Sequence, residues 1–288
     1  MNVHDTLTLV ECPRDAMQGW GRMISTDEKV AYLNKLLKVG FDVLDFGSFV
    51  SAKAIPQLAD TRDVIPRLEL NGTNTRLLAI IANTRGAEDA LQFDEISYLG
   101  FPFSISETFQ LRNTNKTIAQ SLVQVDEIQR LCLQRGKQLV VYISMGFGNP
   151  YGDEYSAEVA IKWVGRLHQL GVKIIAMSDT VGVATPDNIT YIFNSLVPQF
   201  ADISIGAHFH SAQDKWQEKI DAAYRAGCRR FDSAMKGIGG CPMAEDELVG
   251  NIATENIVGW CAENKISLSI DPAAFSKALM LAGAVFSH

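Results

Sequence analysis

Short apolar runs alternate with longer stretches of helical spacing along the whole chain. The apolar runs are often continuous, which is typical of parallel strands covered on both faces. Gly40, Gly136, Gly171 and Gly227 each end a helical stretch directly before the next apolar run, where a C-cap glycine belongs. The predicted strands are 7–11, 43–46, 77–81, 95–98, 139–144, 174–177, 204–210 and 230–232, and the predicted helices are 26–39, 55–68, 86–91, 114–135, 156–170, 187–196, 212–226, 251–264 and 272–285.

Eight strand–helix units in succession predict an α/β fold, the (β/α)8 or TIM barrel. The competing fold, a doubly wound open sheet, usually carries a glycine-rich phosphate turn after its first strand. Here Cys12-Pro13-Arg14-Asp15 follows that strand instead. No linker, repeat or low-complexity segment interrupts the series, so we expect a single barrel domain over residues 1–288. The helix predicted at 272–285 would be an extra, C-terminal one.

The composition narrows the possible functions. Hydrophobic residues make up 47% of the 288 residues, which is ordinary for a globular protein with a large core. The net charge of −7 argues against binding to nucleic acid or to an anionic membrane. The apolar runs are too short to cross a bilayer, and the first residues lack the basic region of a signal peptide. Five scattered cysteines form no C-x-x-C pair, so we expect reduced thiols and a cytoplasmic location.

Two histidines at the end of the seventh predicted strand are the sharpest local signal. His208 and His210 share one face of that strand, because side chains repeat every two residues. Asp15 follows the first strand, which is close to the seventh around a closed barrel, and completes a set of two imidazoles and one carboxylate. The carbonyl of Asn251 is a further candidate ligand. These ligand types suit Mn²⁺, Mg²⁺, Co²⁺ or Zn²⁺, while two structural histidines are the alternative.

Other candidates lie where strands end, the functional end of such a barrel. Arg14 is a candidate for stabilising an oxyanion, with a surface salt bridge as the alternative. Cys241 lies in a glycine-rich loop, where a thiol can transfer a proton or be an unreactive turn residue. Asp45 ends the second strand and Ser48 follows it. Asp179 and Thr180 follow the sixth strand, where a helix N-cap is the alternative.

Several motifs resemble the 3-hydroxy-3-methylglutaryl-CoA lyases, part of a wider group of metal-dependent barrels that includes isopropylmalate, homocitrate and citramalate synthases. The resemblance covers nearly the whole chain and rests on VECPRDAMQ at 10–18, SFVSAK at 48–53, SDTVGVATP at 178–186 and HFH at 208–210. Most specific is GIGGCP at 237–242 with GNIATE at 250–255. The condensing synthases carry a loop without this cysteine, so the pattern favours the lyases.

The resemblance implies a function and a role for each matching residue. The expected reaction is metal-assisted retro-Claisen cleavage of 3-hydroxy-3-methylglutaryl-CoA to acetyl-CoA and acetoacetate, in leucine breakdown or ketone-body chemistry, by a homodimer. Asp15, His208, His210 and Asn251 would bind the cation, with Mg²⁺ or Mn²⁺ favoured over Co²⁺ or Zn²⁺. Arg14 would stabilise the enolate, Cys241 would protonate it, and His208 is a candidate base. The remaining site residues are Asp45 as a catalytic group and Gln18, Ser48, Asp179 and Thr180 as substrate contacts.

Three of the departures from the lyase pattern bear most directly on the site. Asp45 stands where the lyases carry Glu, so the carboxylate is one methylene shorter. Ser211 replaces the Asp that usually follows the two histidines, and the loop after Cys241 contains the acidic run Glu245-Asp246-Glu247. Two alternatives to the implied function stay open, and Asp45 and the acidic run motivate the first of them. One is a paralogue acting on a different hydroxy-acyl or 2-keto-acid substrate, and the other is a catalytically silent metal-binding homologue.

Overall fold

Eight parallel strands close into a barrel in the computed structural model, which describes residues 6–240 and 249–287. Each strand pairs with the next along the chain, and the eighth pairs with the first. The predicted (β/α)8 fold is therefore confirmed. The strands are β1 (Thr8–Glu11), β2 (Val43–Ser48), β3 (Arg76–Ile80), β4 (Ile96–Ser104), β5 (Gln138–Ser144), β6 (Ile174–Asp179), β7 (Ser204–Ser211) and β8 (Arg230–Ser233).

Helices surround the barrel, and the larger part of the core lies between the two layers. Leu9, Leu44, Phe101 and Phe231 point outward from their strands into this layer and are 0–1% exposed. The helices are α1 (Pro13–Gln18), α2 (Thr26–Leu37), α3 (Thr61–Val64), α4 (Thr84–Ala90), α5 (Glu107–Thr114), α6 (Ile118–Gln134), α7 (Ala157–Gln169), α8 (Pro186–Gln199), α9 (Trp216–Arg225), α10 (Thr254–Glu263) and α11 (Pro272–Val285). Among the described residues, no helix is both long and apolar enough to span a membrane.

The predicted extra helix at the C-terminus is present as α11. Asp271 caps it by accepting a hydrogen bond from the backbone N–H of Ala274 at 2.7 Å. The helix packs against α2, and Phe286 after its end lies edge-on to Trp20, with ring centroids 5.3 Å apart. The C-terminal helix therefore lies in the outer helical layer beside the first strand–helix unit.

Some boundaries differ from the prediction for identifiable reasons. The helix predicted at 55–68 is two 3₁₀ turns around the short helix α3, and Pro66 lacks the N–H that a continuous helix needs at that position. The short helices α1 and α5 were not predicted. Residues Gly250–Asn251 form a short strand, β9, which pairs antiparallel with β7, so that α10 begins at Thr254 instead of 251.

A buried carboxyl group joins β1 to the chain segment that follows β8. Glu11 is fully buried on the outward face of β1. Its Oε1 accepts a hydrogen bond from the backbone N–H of Met235 at 2.9 Å, and its Oε2 accepts one from Oγ1 of Thr254 at 2.5 Å. Burial raises the pKa of Glu11 to about 8. Glu11 thus fixes both ends of the segment 235–254, which carries Asn251.

The raised pKa of Glu11 predicts a pH dependence of stability. Because folded Glu11 keeps its proton to about pH 8 and the unfolded side chain loses it near 4.5, its stabilising contribution is complete below pH 4.5 and is lost as pH rises through 8. Glu11→Gln mimics the protonated form, so we expect its free energy of unfolding to fall less between pH 5 and 8. The expected difference is at most about 1.4 kcal/mol per pH unit. Urea denaturation at several pH values measures it, and parallel curves for the two proteins would contradict it.

Candidate active site

The first side chains of the site come from helix α1, which starts directly after β1. Pro13 is well suited to the first helical position because it has no N–H to leave unpaired. The next two residues, Arg14 and Asp15, are only 7% and 8% exposed. The strand therefore delivers a cation and a carboxylate side by side to the carboxyl end of the barrel, and the surface salt bridge considered for Arg14 is wrong.

His208 and His210 lie on the inward face of β7, beside Asp15. One possible ligand atom from each of these three residues lies within 4.8 Å of the other two. The Nδ1 of His210 is 3.0 Å from the carbonyl oxygen of Thr180, while its Nε2 is buried and has no hydrogen-bond partner in the part of the chain that the structure describes. Burial, aided by nearby His208, lowers the pKa of His210 to about 4. A neutral ring whose Nδ1 proton is held by Thr180 leaves a lone pair on Nε2 for a cation.

The second histidine is backed by a carboxylate. The Nδ1 of His208 is 3.4 Å from Oδ2 of Asp232, which is buried inside the barrel on β8. Burial lowers the pKa of His208, but the hydrogen bond and charge of Asp232 outweigh it and the net shift is upward. A carboxylate behind one ring nitrogen is the usual way to orient a histidine ligand, so Asp232 is a site residue that the sequence reasoning missed.

Asn251 reaches the same place from β9. It pairs with His210 in the β7–β9 ladder, and its Nδ2 donates to Oδ2 of Asp15 at 2.7 Å. The chain passes over this contact at Gly239, where a Cβ atom would be only 2.5 Å from Nδ2 of Asn251. Gly239 also has a φ of +104°, which side-chain-bearing residues rarely adopt. A glycine is required here by both the contact and the backbone conformation.

The residues present fit a divalent cation. Asp15, His208 and His210 offer one carboxylate and two imidazoles, and Asn251 adds an amide group in contact with Asp15. The unpartnered Nε2 of His210 is the observation that favours an ion over two structural histidines, because a buried polar atom without a partner is costly. This donor set suits several ions and selects none of them.

Arg14 is held rigidly in the site by three neighbours. Its guanidinium makes a two-pronged ion pair with Asp45, with Nε at 2.9 Å and Nη2 at 2.5 Å from Oδ2. Its Nη1 also donates to Asp15 at 2.9 Å and to Gln18 at 3.0 Å. Burial raises the pKa of Asp45 to about 6, although Arg14 opposes the rise. At neutral pH the pair is therefore ionised, and the shorter Asp45 side chain is bound to Arg14.

Asp179 and Thr180 lie behind His210 and hold its strand in position. Oγ1 of Thr180 accepts a hydrogen bond from the backbone N–H of Met145 at 2.9 Å, and the Thr180 carbonyl contacts His210 as described. Asp179 is buried and forms an ion pair with Lys219 from α9, with Oδ2 to Nζ at 2.6 Å. The N-cap of α8 is Thr185, so the capping alternative for Asp179 is wrong.

Lys219 is a second residue that sequence reasoning missed. Its Nζ is buried and donates to Asp179, to the carbonyl of His210 at 2.9 Å and to that of Gly182 at 3.1 Å. Lys219→Met would leave the Asp179 carboxylate buried without its counter-charge, so we expect a loss of about 3–5 kcal/mol in the free energy of unfolding.

Urea denaturation of Lys219→Met measures this loss, and Lys173→Met is the matched control. Lys173 pairs with Asp202 at 2.6 Å on the surface, where water screens the charges, so we expect a much smaller change there. Equal changes in the two variants would show that Lys219 does not support the site as described.

The remaining predicted residues are less central or lie elsewhere. Ser48 is buried and its Oγ accepts a hydrogen bond from the backbone N–H of Val50 at 3.1 Å, so its side chain contacts the loop that follows β2. Gln18 is bound to Arg14 at the site. Cys241 and the acidic run Glu245-Asp246-Glu247 lie outside the described residues.

Comparison with known proteins shows the family of this chain and supports the fold. The sequence profile of the family described as HMGL-like matches residues 8–281. The chain belongs to the HMGL-like family. Because its relatives are lyases, this HMGL-like protein is a lyase-type enzyme, as the resemblance implied. The family is metal-dependent in general, in agreement with the cluster of Asp15, His208 and His210.

Three proteins similar to this HMGL-like protein differ in the substrates that their names give. A hydroxymethylglutaryl-CoA lyase of Bacillus subtilis is 31% identical over 90% of this chain and 85% of its own. An (R)-citramalyl-CoA lyase of Chloroflexus aurantiacus is 27% identical over 88% of this chain and 83% of its own. The structure of an HMG-CoA lyase from Acinetobacter baumannii, in complex with coenzyme A and 3-methylmalate, superposes with a TM-score of 0.91 at 32% identity, covering 100% of this chain and 93% of that one.

Proposed function

We propose that this protein cleaves 3-hydroxy-3-methylglutaryl-CoA to acetyl-CoA and acetoacetate with the help of a divalent cation. The observation that carries the proposal is the convergence of Asp15, His208 and His210 beside the buried guanidinium of Arg14 at the carboxyl end of the barrel. Lyase relatives at about 30% identity support the same reaction class. A CoA thioester is the proposed substrate type.

Asp15, His208, His210 and Asn251 are the residues that would hold the cation, with Mg²⁺ or Mn²⁺ favoured. When bound, the cation supplies positive charge that polarises the hydroxyl and carbonyl oxygens of the substrate. Arg14 lies against Asp15 and is proposed to stabilise the negative charge that develops on the thioester oxygen as the carbon–carbon bond breaks. Its ion pair with Asp45 keeps the guanidinium in one orientation, so no reorganisation is needed during the reaction.

His208 is proposed for two tasks, cation binding and acceptance of the substrate's hydroxyl proton. Asp232 beside Nδ1 favours a ring with its proton on that nitrogen, so Nε2 has a free lone pair for either task. His208 cannot bind the cation and accept the proton at the same time, because both tasks use the lone pair of Nε2. Cys241 is proposed to protonate the enolate of acetyl-CoA, a role that rests on the sequence motif.

A second candidate substrate is a related hydroxy-acyl-CoA such as citramalyl-CoA. The (R)-citramalyl-CoA lyase relative and the shorter Asp45, drawn back onto Arg14, favour this alternative. Moving a carboxylate by about one methylene changes the space and charge available to the substrate. The homodimer, the cytoplasmic location and a place in leucine breakdown or ketone-body chemistry remain predictions from the sequence.

The deciding experiment compares release of acetoacetate from 3-hydroxy-3-methylglutaryl-CoA with cleavage of (R)-citramalyl-CoA, each with Mg²⁺ or Mn²⁺ and a thiol reductant. We expect turnover of the first substrate to need the cation and to fall in both His208→Ala and Cys241→Ala. Preference for citramalyl-CoA would replace the proposed substrate. No turnover of a panel of hydroxy-acyl-CoA and 2-keto-acid substrates would favour the catalytically silent homologue.

A further inference from the structure

A cavity of about 760 Å³ opens at the opposite end of the barrel from the candidate active site. Its wall is formed by residues that begin strands, among them Thr8, Arg76, Ser204 and Arg230, while the candidate active site is built where strands end. Residues at this amino end of a TIM barrel normally contribute to stability and not to function. This cavity differs from that general case because two arginines, Arg76 and Arg230, lie in its wall.

Arg230 is the unusual residue of the cavity wall. It is 4% exposed, and among residues 6–240 and 249–287 neither its Nε nor its Nη2 has a hydrogen-bond partner. The carboxylate of Asp232 lies 3.8 Å from Nε, beyond hydrogen-bond distance. Asp232 therefore supplies a counter-charge to Arg230 but no hydrogen bond, and buried guanidinium donors without hydrogen bonds are costly.

The barrel provides space for this side chain. A Cβ atom at Gly206, the neighbouring position on β7, would lie 2.8 Å from Cδ and 2.9 Å from Cγ of Arg230. Glycine at 206 therefore lets the stem of Arg230 lie across β7 inside the barrel. The missing side chain at position 206 thus provides the space that the Arg230 side chain occupies.

A second arginine lies on the same wall, and the nearby acids are already engaged. Nη1 of Arg76 donates to the hydroxyl of Tyr98 at 3.0 Å. Glu69 pairs with Lys38 at 2.9 Å, and Oδ2 of Asp42 accepts a hydrogen bond from the backbone N–H of Leu9 at 2.8 Å. Among the described residues, no carboxylate therefore lies within hydrogen-bond distance of Arg230, whose nearest counter-charge is Asp232 at 3.8 Å.

We propose that this cavity binds a small anion through a carboxylate or phosphate group, with Arg230 as the main contact and Arg76 as the second. Planar guanidinium groups bind both kinds of anion with paired hydrogen bonds. The size of the cavity leaves room for the rest of a small organic molecule. The cavity lies at the other end of the barrel from the proposed lyase site, but Asp232 contacts both Arg230 and His208. The test therefore measures binding of the anion and not activity, so either proposal can fail without the other.

The test is isothermal titration of the Mg²⁺-loaded protein with inorganic phosphate and, separately, with succinate. We expect binding of at least one probe at millimolar concentration, weakened about tenfold or more by Arg230→Met, which loses charge-assisted hydrogen bonds. Binding of phosphate only or of succinate only identifies the group that is recognised. Binding of neither probe overturns the proposal.

Three further variants locate the binding and keep the test valid if Arg230→Met does not fold. Arg76→Met is expected to weaken binding by a smaller factor, about threefold. Arg130→Met removes an arginine that pairs with Asp126 on the surface of α6 and should leave binding unchanged. His210→Ala should also leave it unchanged. Loss of binding in His210→Ala would place the anion at the candidate active site and overturn the proposal. Full binding in Arg76→Met would also overturn it, whether or not Arg230→Met folds and binds the anion as well.

Discussion

His210→Ala is expected to lower kcat/KM for thioester cleavage by more than about a hundredfold and to weaken binding of the divalent cation by a similar factor. His210 presents an unpartnered, buried Nε2 to the site, and its low pKa keeps the ring neutral and able to donate its lone pair. Outer residues that merely orient a ligand contribute about 10–100-fold, so a ligand itself should contribute more. Steady-state kinetics and a cation titration measure the two effects.

The matched control for His210→Ala is His168→Ala. His168 lies on α7 at the surface and contacts Asp202 at 3.0 Å, far along the chain from the proposed ligands. We expect this variant to keep both its activity and its affinity for the cation. If His210→Ala behaved like His168→Ala, the two histidines of β7 would be structural and the proposed cation site would be wrong.

Arg14→Met is expected to reduce stability and activity together. Losing the guanidinium leaves Asp45 buried without its counter-charge, which should lower the free energy of unfolding by about 3–5 kcal/mol. The same change removes the group proposed to stabilise the enolate, which should lower kcat by about 10²–10³. Urea denaturation measures the first effect, and single-turnover kinetics on the folded fraction measures the second.

The double variant Arg14→Met/Asp45→Leu separates the two effects of Arg14. Replacing both members of a buried ion pair by apolar side chains of similar size is often neutral or stabilising. We therefore expect the double variant to recover most of the stability while its activity stays low. Recovery of activity along with stability would mean that Arg14 only supports the fold.

The barrel and the location of its site were predictable because both follow from local patterns. Continuous apolar runs and C-cap glycines marked the strands, and each predicted strand is present. In a parallel barrel the carboxyl ends of all strands meet at one end, so Asp15, His208, His210 and Asn251 were expected together before any contact was known. The break in the helix predicted at 55–68 had a local signal too, since Pro66 lies inside it.

Asp232 and Lys219, which support the site, were not predicted, although the sequence around Asp232 contained a signal. Arg230 and Asp232 are charged residues two positions apart on a short strand, so they share the inward face of the barrel, where charges are unusual. Lys219 gave no such signal. A lysine on an amphipathic helix normally lies in solvent, and only the approach of α9 to the loop after β6 makes it a partner of Asp179.

By itself, the sequence determined the order of strands and helices, the closed barrel and the end of it that carries the chemistry, because these depend on periodicity and on residues close together in the chain. The tertiary structure decided which charges meet. Arg14 binds Asp45, 31 residues away, and Asp15 binds Asn251, 236 residues away. Such contacts are selected by strand register and by the desolvation of buried charges, and neither property can be read from a local stretch of sequence.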